Sequence, residues 1–329
     1  MLYRKFGNTD IQVSEIGFGA WAIGGGAMIG KTAIGWGAVD DELSKKAINT
    51  ALDQGINFFD TADIYGLGHS EEILGKTLKG KQDVILASKV GNVARDGQFT
   101  TDYSPEYMLK ACEDSLKRLQ REVIDYYQLH TARIKDLESG AVIEVMEKLK
   151  EQGKIRYWGI SLNTFEPFAE ADYLMEHAKG FGFQLVFNFI NQKALSLIET
   201  ASAKGYGIIA RMPLQFGLLT GKFDRGAEFP VNDHRKGRLT PEVIEKSNAS
   251  LKPVWELCNK YGCTKTELAI SFILSHPEVS TVIPGIRTPE QARQNTTGLF
   301  KLTDEERQGI QQLGATEFVA LMELILKQG

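Results

Sequence analysis

Short apolar runs alternate with longer amphipathic stretches along most of the chain, and this alternation restricts its fold more than any other feature. Eight of the runs are rich in valine, isoleucine, phenylalanine and tyrosine and are nearly continuous in hydrophobicity. Such runs are typical of strands buried on both faces, as in a parallel sheet. The predicted strands cover residues 15–19, 57–59, 84–88, 124–129, 157–161, 184–187, 207–210 and 281–283.

Eight amphipathic stretches between and after these runs predict helices. Gly55 follows the first stretch, and Pro105 stands at the first helical position of the third, directly after Ser104. The predicted helices cover residues 41–54, 70–78, 105–119, 139–152, 167–177, 193–204, 264–275 and 289–295. Eight strands alternating with eight helices predict an α/β fold, a (β/α)8 TIM barrel, formed as one domain by residues 1–329.

Three segments lie outside this repeat. Residues 3–6 and 11–13 flank the turn Asn8-Thr9-Asp10 and predict an N-terminal β-hairpin that caps one end of the barrel. An extra helix is predicted near residues 241–261, between the seventh and eighth strands. A C-terminal helical extension is predicted over residues 303–327.

Charge and composition exclude several classes of partner. The chain has 38 basic and 42 acidic residues, a net charge of −4, so it has no overall attraction for nucleic acids or anionic membranes. Its longest uncharged run, residues 16–30, is too short to span a bilayer, and the first ten residues lack the apolar core of a signal peptide. Three isolated cysteines and five scattered histidines predict a cytoplasmic protein without a disulfide framework or metal site.

Residues 25–32, GGAMIGKT, match the phosphate-binding pattern GxxxxGK[ST]. That pattern binds a triphosphate only where a strand leads into the loop and a helix begins at the Lys-Thr pair. Here Lys31 and Thr32 are followed by AIGWGAVD, whose two glycines and lack of helical periodicity predict a loop. A phosphate-loop ATPase is therefore a weak hypothesis for the function of this chain. The sequence also has no GxGxxG pattern for a Rossmann-type site.

Four chemically active side chains follow consecutive predicted strands. Asp60 and Tyr65 follow the second strand, Lys89 the third and His130 the fourth. In a barrel, residues just beyond the carboxyl ends of the strands meet at one mouth. There an ammonium would stabilise a phenolate, a carboxylate would hold the ammonium, and a histidine would orient a carbonyl oxygen. Such a set would donate a proton to a carbonyl oxygen while another species attacks the carbon.

The attacking species would be a hydride, which no side chain supplies, so a nicotinamide cofactor is predicted. Amide and hydroxyl groups follow the fifth strand and begin the sixth, a glycine-rich loop with a lysine follows the seventh, and an arginine before a helix follows the eighth. The residues expected to contact the cofactor on these loops are Ser161, Asn163, Gln184, Arg211, Met212, Leu214, Gly217, Leu218, Thr220, Gly221, Lys222, Gly285 and Arg287.

Taken together, these segments resemble the aldo-keto reductase superfamily over essentially the whole chain. The most specific are FFDTADIYGLGHSEEILG and VIPGIRTPEQARQN, and IGFGAW, GWGAVDDE, ILASKVG, DYYQLH, WGIS and GLLTGKF also match. The sequence is most similar to the bacterial branch that includes inositol-utilisation and general-stress reductases. The resemblance implies an NADPH-dependent oxidoreductase that reduces aldehydes or ketones, or that runs in reverse as an alcohol or polyol dehydrogenase.

The resemblance also implies residue roles. The catalytic tetrad corresponds to Asp60, Tyr65, Lys89 and His130. The cofactor contacts correspond to Ser161 or Asn163 with Gln184 at the carboxamide and to Arg287, Gln291 and Asn295 at the adenosine, with Trp21 and Asp60 also beside the cofactor.

Several positions depart from the family pattern. Arg211 stands where many members have an aromatic residue that stacks on the nicotinamide, and a guanidinium plane would stack there too. Gln291 replaces an arginine beside the adenine, and Gly285 with Ile286 replaces a Lys-Ser pair that contacts the 2′-phosphate. The choice of NADPH over NADH therefore depends on Arg287.

The expected partner is a small carbonyl or alcohol substrate, and Trp21, Met28, Trp36 and Tyr65 are predicted to line an apolar pocket for it. The alternative function is a nicotinamide-binding regulatory subunit, because the resemblance includes barrels that serve membrane channels. Retention of all four tetrad residues favours the enzyme. The sequence does not indicate an oligomeric state.

Overall fold

The computed structural model describes residues 1–30 and 32–328. At its centre is an eight-stranded parallel sheet in which each strand pairs with the next along the chain. Hydrogen bonds from Gly17 N to Val282 O, 2.8 Å, and from Gly19 N to Pro284 O, 3.0 Å, join its two edges into a nearly closed barrel. The barrel strands are β1 (Phe18–Gly19), β2 (Phe58–Asp60), β3 (Ile85–Val90), β4 (Ile124–His130), β5 (Ile155–Ser161), β6 (Gly182–Val186), β7 (Gly207–Arg211) and β8 (Thr281–Ile283).

The predicted barrel is confirmed, and helices surround it. Several begin at capping residues that the sequence supplies: Asp40 accepts hydrogen bonds from the backbone N–H groups of Glu42 and Leu43, and Thr264 forms a reciprocal capping box with Glu267. The helices are α1 (Asp41–Asp53), α2 (His69–Thr77), α3 (Pro105–Leu119), α4 (Ile134–Glu138), α5 (Ala141–Glu151), α6 (Phe168–Glu176), α7 (Leu195–Ala203), α8 (Pro241–Ser250), α9 (Lys252–Tyr261), α10 (Lys265–Leu274), α11 (Pro289–Gln294), α12 (Asp304–Ala315) and α13 (Val319–Leu326).

Several helices differ from the prediction. The short helix α4 was not predicted, and Gly140, at φ 77°, separates it from α5. The segment predicted near residues 241–261 is divided into α8 and α9, because Pro253 has no N–H to continue the hydrogen bonds of α8. The predicted C-terminal helix is divided into α12 and α13, and fully buried Phe318 lies between them.

The predicted N-terminal hairpin is confirmed and closes the base of the barrel. Tyr3–Lys5 pairs with Gln12–Ser14 in antiparallel register. Phe6 from its turn is buried against the ring of Tyr126, with ring centres 4.8 Å apart. In the part of the chain that the structure describes, the barrel is open instead at the carboxyl ends of its strands.

Two further two-stranded ribbons were not predicted. Asn92–Arg95 pairs with Gln98–Thr101 after β3, across Asp96 and Gly97, which both have positive φ. An Asp-Gly pair is a strong signal for such a turn, so the sequence contained the information. Met28–Ile29 pairs with Thr32–Ala33 after β1. Within the residues that the structure describes, no helix combines the length and apolarity needed to cross a membrane.

His276 makes the stability of the fold sensitive to pH. Its side chain is 1% exposed, and burial, helped by Arg307 and Arg4, lowers its pKa from 6.5 to about 4. The unfolded chain therefore binds a proton below about pH 6.5 that the folded chain excludes. His276 is expected to lower the free energy of unfolding by about 3 kcal/mol in total as the pH falls from about 6.5 to 4.

Urea unfolding of the wild type and of His276→Gln over this pH range tests that expectation. The difference between the two curves should change with pH by the stated amount and be constant above pH 7. Parallel curves over the whole range would contradict it.

Candidate active site

A buried ion pair lies at the centre of the barrel mouth. Lys89 Nζ, on β3, donates hydrogen bonds to Asp60 Oδ2 at 2.6 Å and to Thr61 O at 2.8 Å. The other carboxylate oxygen of Asp60 accepts from Gln128 Nε2 at 3.0 Å and from Gln184 Nε2 at 2.7 Å. Amide groups from β4 and β6 thus hold the carboxylate, which in turn holds the ammonium.

The third hydrogen bond of Lys89 reaches Tyr65. Its Nζ donates to the Tyr65 hydroxyl at 3.1 Å. Burial by itself lowers the pKa of Lys89, but the interactions with Asp60 and Tyr65 outweigh burial, and the pKa is raised above its ordinary value. Lys89 is therefore an ammonium at neutral pH and points its charge at the tyrosine oxygen.

A tight turn holds Tyr65 in this position. Gly66, the next residue, has φ 61°, and a Cβ atom there would lie 2.0 Å from the carbonyl oxygen of Gly24. The loop after β1 therefore packs backbone to backbone against the turn, which only glycine permits at both residues. The ring of Trp21, from the same loop, lies 6.2 Å from that of Tyr65.

His130, the last residue of β4, stands beside Tyr65. Their ring centres are 5.9 Å apart and the rings are nearly perpendicular. Burial, together with the charges of Lys89 and Arg211, lowers the pKa of His130 well below 6.5. The imidazole is thus neutral at physiological pH, and its Nδ1 is buried with no hydrogen-bond partner among the described residues.

The four predicted catalytic side chains therefore come together. The Tyr65 hydroxyl accepts a hydrogen bond from the Lys89 ammonium, and the neutral imidazole of His130 is suited to hold a polar atom of a ligand. This arrangement can deliver a proton to an oxygen atom bound beside Tyr65.

The tetrad adjoins a cavity of about 600 Å³ at the carboxyl ends of the strands. Aromatic residues, among them Trp21, Trp36, Phe99 and Phe216, form part of its wall. The predicted residues that line it are Trp21, Trp36, Asp60, Tyr65, His130, Ser161, Gln184, Arg211, Met212, Leu214, Gly217, Thr220, Lys222, Gly285, Gln291 and Asn295.

Other predicted residues lie outside this lining. Lys89 lies beneath it, and Met28 is 43% exposed on the ribbon after β1. Asn163 Oδ1 accepts hydrogen bonds from two backbone N–H groups, at 3.0 Å each, and so holds a turn. Leu218 is buried beside a small neighbouring cavity. Gly221 packs against the Lys265 side chain, and Arg287 is discussed below.

Ser161 and Gln184 lie together at the bottom of the cavity. Ser161 Oγ donates a long hydrogen bond, 3.4 Å, to Gln184 Oε1, while Gln184 Nε2 is committed to Asp60. Of the three residues expected at the carboxamide, Ser161 and Gln184 thus face the cavity and Asn163 does not. The sequence did not decide between Ser161 and Asn163, because both stand at or just beyond the end of β5.

The opposite end of the site is strongly basic. Lys222 lines the cavity, and its pKa is lowered by burial and by the nearby charges of Arg235 and Arg287. Arg235 pairs with Asp233 at 2.6 Å. The guanidinium of Arg287 donates to the carbonyl oxygens of Trp36 and Ala38 at 3.1 and 2.8 Å.

Sequence reasoning missed two arginines of the cavity lining, Arg235 and Arg238. They lie in the polar segment between β7 and α8, where the short helical turn His234–Gly237 brings HRKGR over the mouth. The antiparallel bridge between Trp36 and Asp233 ties this segment to the loop after β1. The dense basic run HRKGR was the available signal.

The phosphate-loop pattern lacks the structure it needs. Lys31 lies outside the described residues. Residues 34–40, which are described, contain no helix, and α1 begins only at Asp41. Met28–Ile29 and Thr32–Ala33 instead form the short ribbon after β1, and Gly24, just before the matching segment, packs against the Tyr65 turn.

Comparisons with known proteins agree with this geometry. The Aldo/keto reductase family matches residues 15–315. Aldo-keto reductase YhdN of Bacillus subtilis is 33% identical over 94% of this chain and 92% of its own length. An NADH-specific methylglyoxal reductase of Escherichia coli is 29% identical over 91% of this chain and 94% of its own.

A solved structure, the glycerol dehydrogenase AKR11B4 from Gluconobacter oxydans, superimposes with a TM-score of 0.80 at 31% identity, over 96% of this chain and 95% of that one. The family match extends over nearly the whole barrel and includes the segments that carry the tetrad. This chain therefore belongs to the aldo/keto reductase family, whose members are oxidoreductases acting on carbonyl and alcohol groups.

Proposed function

We propose that the protein is an NADPH-dependent reductase that converts aldehydes or ketones to alcohols and that also runs in the oxidative direction. The observation that carries the proposal is the hydrogen-bond chain from Asp60 through Lys89 to the Tyr65 hydroxyl, which ends at a large cavity. A bound nicotinamide supplies the hydride for such a reaction. The chain itself supplies the proton and the orientation.

The proton comes from Tyr65 in this proposal. As the proton leaves the hydroxyl, negative charge develops on an oxygen that already accepts a hydrogen bond from Lys89. The ammonium is in position before the charge develops, and such a preorganised interaction stabilises the transition state. Asp60 does not touch the substrate and is a positioning residue, because it holds Lys89 in place.

His130 orients the carbonyl group. Its neutral ring lies perpendicular to that of Tyr65, so a substrate oxygen between them meets both a hydroxyl and an imidazole nitrogen. Neutrality matters here, since a protonated His130 would compete with Tyr65 as the acid.

The lining residues are suited to a dinucleotide. Ser161 and Gln184 are suited to a carboxamide at the catalytic end, and the planar guanidinium of Arg211 to the face of the ring. Lys222 and Arg235 supply cations for phosphates at the other end. Asn295 Nδ2 is a buried donor with no partner among the described residues, as an adenine contact requires.

The preference for NADPH rests on Arg287. It precedes the first residue of α11 by two positions, and its charge acts on Lys222, a residue of the cavity lining. A 2′-phosphate between them would satisfy both cations. The Escherichia coli relative described as NADH-specific is a reason to test this preference directly.

Arg287→Ala is expected to weaken NADPH binding by about 1.5–3 kcal/mol and to leave NADH affinity nearly unchanged, because only NADPH carries the 2′-phosphate. Fluorescence titration of both cofactors measures the two affinities. The control is Arg293→Ala, which removes an exposed arginine from the last turn of α11, the helix that follows Arg287. Equal weakening of both cofactors would mean that Arg287 acts only by holding the loop at Trp36 and Ala38.

Turnover tests the function itself. The purified protein is mixed with NADPH and a panel of aldehydes and ketones that includes methylglyoxal, and with NADP⁺ and polyols that include glycerol. We expect NADPH to be oxidised in the presence of at least one class of aldehyde or ketone. Tight cofactor binding without turnover of any of them would favour the regulatory subunit. The three free cysteines suit the reducing cytoplasm, where we place the reaction.

A further inference from the structure

One arginine of the cavity lining has no anionic partner. The guanidinium of Arg238 lies 5.6 Å from the centre of the Phe216 ring and makes no side-chain hydrogen bond or ion pair with any residue that the structure describes. Burial lowers its pKa below the ordinary value for arginine. A partly buried guanidinium that faces a cavity without an anion beside it is suited to bind an anionic ligand there.

Arg211 lies on the same side of the mouth. Its Nη2 donates to Leu162 O and Thr164 Oγ1, both at 3.1 Å, while its Nε is buried with no partner in the described part of the chain. No carboxylate pairs with it in residues 1–30 and 32–328. Burial, together with the charge of Arg238, lowers the pKa of Arg211.

Several partly buried cations of this protein are satisfied by other groups. Arg118 pairs with Glu71 at 2.7 Å, and the guanidinium of Arg287 donates to two backbone carbonyl oxygens. Arg238 differs from them, because its side chain has neither kind of partner among the described residues. The mutual repulsion of Arg238 and Arg211 would be relieved by an anion bound between or beside them.

The cofactor phosphates have other candidates. Lys222, Arg235 and Arg287 act on one another electrostatically and form one group. Arg211 interacts instead with Tyr65 and Asp60, at the catalytic end. Arg238 and Thr164, the hydrogen-bond partner of Arg211, also line the same small neighbouring cavity.

We propose that Arg238, supported by Arg211, binds an anionic group of the substrate, so that the preferred substrates are carbonyl compounds bearing a carboxylate or a phosphate ester. The inference rests on the proposed function. A guanidinium pairs with either anion through parallel N–H donors, and the shared chemistry is therefore an oxyanion. Thr164, whose hydroxyl already meets Arg211, lines the same part of the cavity.

Matched substrate pairs test the proposal. The first pair is 4-carboxybenzaldehyde and its neutral methyl ester, and the second is glyceraldehyde 3-phosphate and glyceraldehyde. For the wild type, kcat/KM should be higher for the anionic member of at least one pair, which also distinguishes carboxylate from phosphate. Arg238→Gln is expected to lower this anionic-to-neutral ratio about 10-fold to 100-fold, the range for a hydrogen bond to a charged group.

Two further variants sharpen the result. Arg238→Lys keeps the charge and should retain part of the preference. Arg225→Gln removes an arginine that is 76% exposed and pairs only with Glu245, and it should leave the ratio as in the wild type. A wild type without preference, or an unchanged ratio in Arg238→Gln, would overturn the proposal. So would weaker NADPH binding at an unchanged ratio, since Arg238 would then hold the cofactor.

A binding measurement separates this inference from the proposed function. The complex with NADPH is titrated with 4-(hydroxymethyl)benzoate and with its neutral amide, and the fluorescence of the cavity tryptophans is followed. Tighter binding of the benzoate, lost in Arg238→Gln, supports the anion site even if no carbonyl compound is turned over. Equal binding of both compounds counts against it even if the protein is an active reductase.

Discussion

Tyr65→Phe is expected to lower kcat for carbonyl reduction by a factor of about 10²–10⁴, the usual contribution of a general acid. The change removes one oxygen atom, the one that accepts the hydrogen bond from Lys89 at 3.1 Å. The phenyl ring still fills the space beside Trp21 and His130. Binding of NADPH, measured by fluorescence titration, should persist because the hydroxyl is not among the groups assigned to the cofactor.

A matched control is Tyr173→Phe, in which the same atom is removed from a ring that stacks on His177 outside the cavity. That variant should turn over substrate like the wild type. Reduction by Tyr65→Phe at a rate near that of the wild type would show that another group donates the proton.

Breaking the Asp60–Lys89 pair is expected to have the largest effect on stability. Asp60→Asn leaves a fully buried ammonium without its carboxylate, and Lys89→Met leaves a buried carboxylate with amide donors alone. Each single variant should lose about 3–5 kcal/mol of the free energy of unfolding. The double variant removes both charges and should recover much of that loss.

Across the two single variants and the double variant, turnover should respond differently from stability. All three variants are expected to lose carbonyl reduction, because each removes or misplaces the ammonium beside the Tyr65 hydroxyl. Denaturant unfolding and steady-state kinetics on the same preparations measure both properties. A double variant no more stable than either single variant would contradict a coupled pair. Normal turnover in Lys89→Met would contradict the role of the ammonium.

Residues at strand ends were the predictable part of the site. Asp60, Lys89 and His130 each end or nearly end a strand, and parallel strands in a barrel bring such residues to one mouth. Placing Tyr65 in the site required one further condition, a turn tight enough to bring its hydroxyl next to Lys89 Nζ. The glycine at position 66 was visible in the sequence, but its close approach to Gly24 was not.

Contacts made by loops were harder to predict. Asn163 is two residues beyond Ser161, yet its side chain holds a turn rather than the cavity wall. Arg238 follows β7 by many residues and reaches the mouth only because the segment before α8 folds back over it. Loop conformation depends on packing against distant parts of the chain, which no local pattern records.

The sequence by itself determined the order of strands and helices, the parallel sheet and the end of the barrel that carries the chemistry. Those properties follow from hydrophobic periodicity, caps and turn residues, which act over a few neighbouring positions. Only the tertiary structure decided which nitrogen and oxygen atoms meet and in what charge state. His130 is neutral because residues from β3 and β7 place two cations near a buried ring, and Arg238 lies over the ring of Phe216 with no carboxylate beside it among the residues that the structure describes.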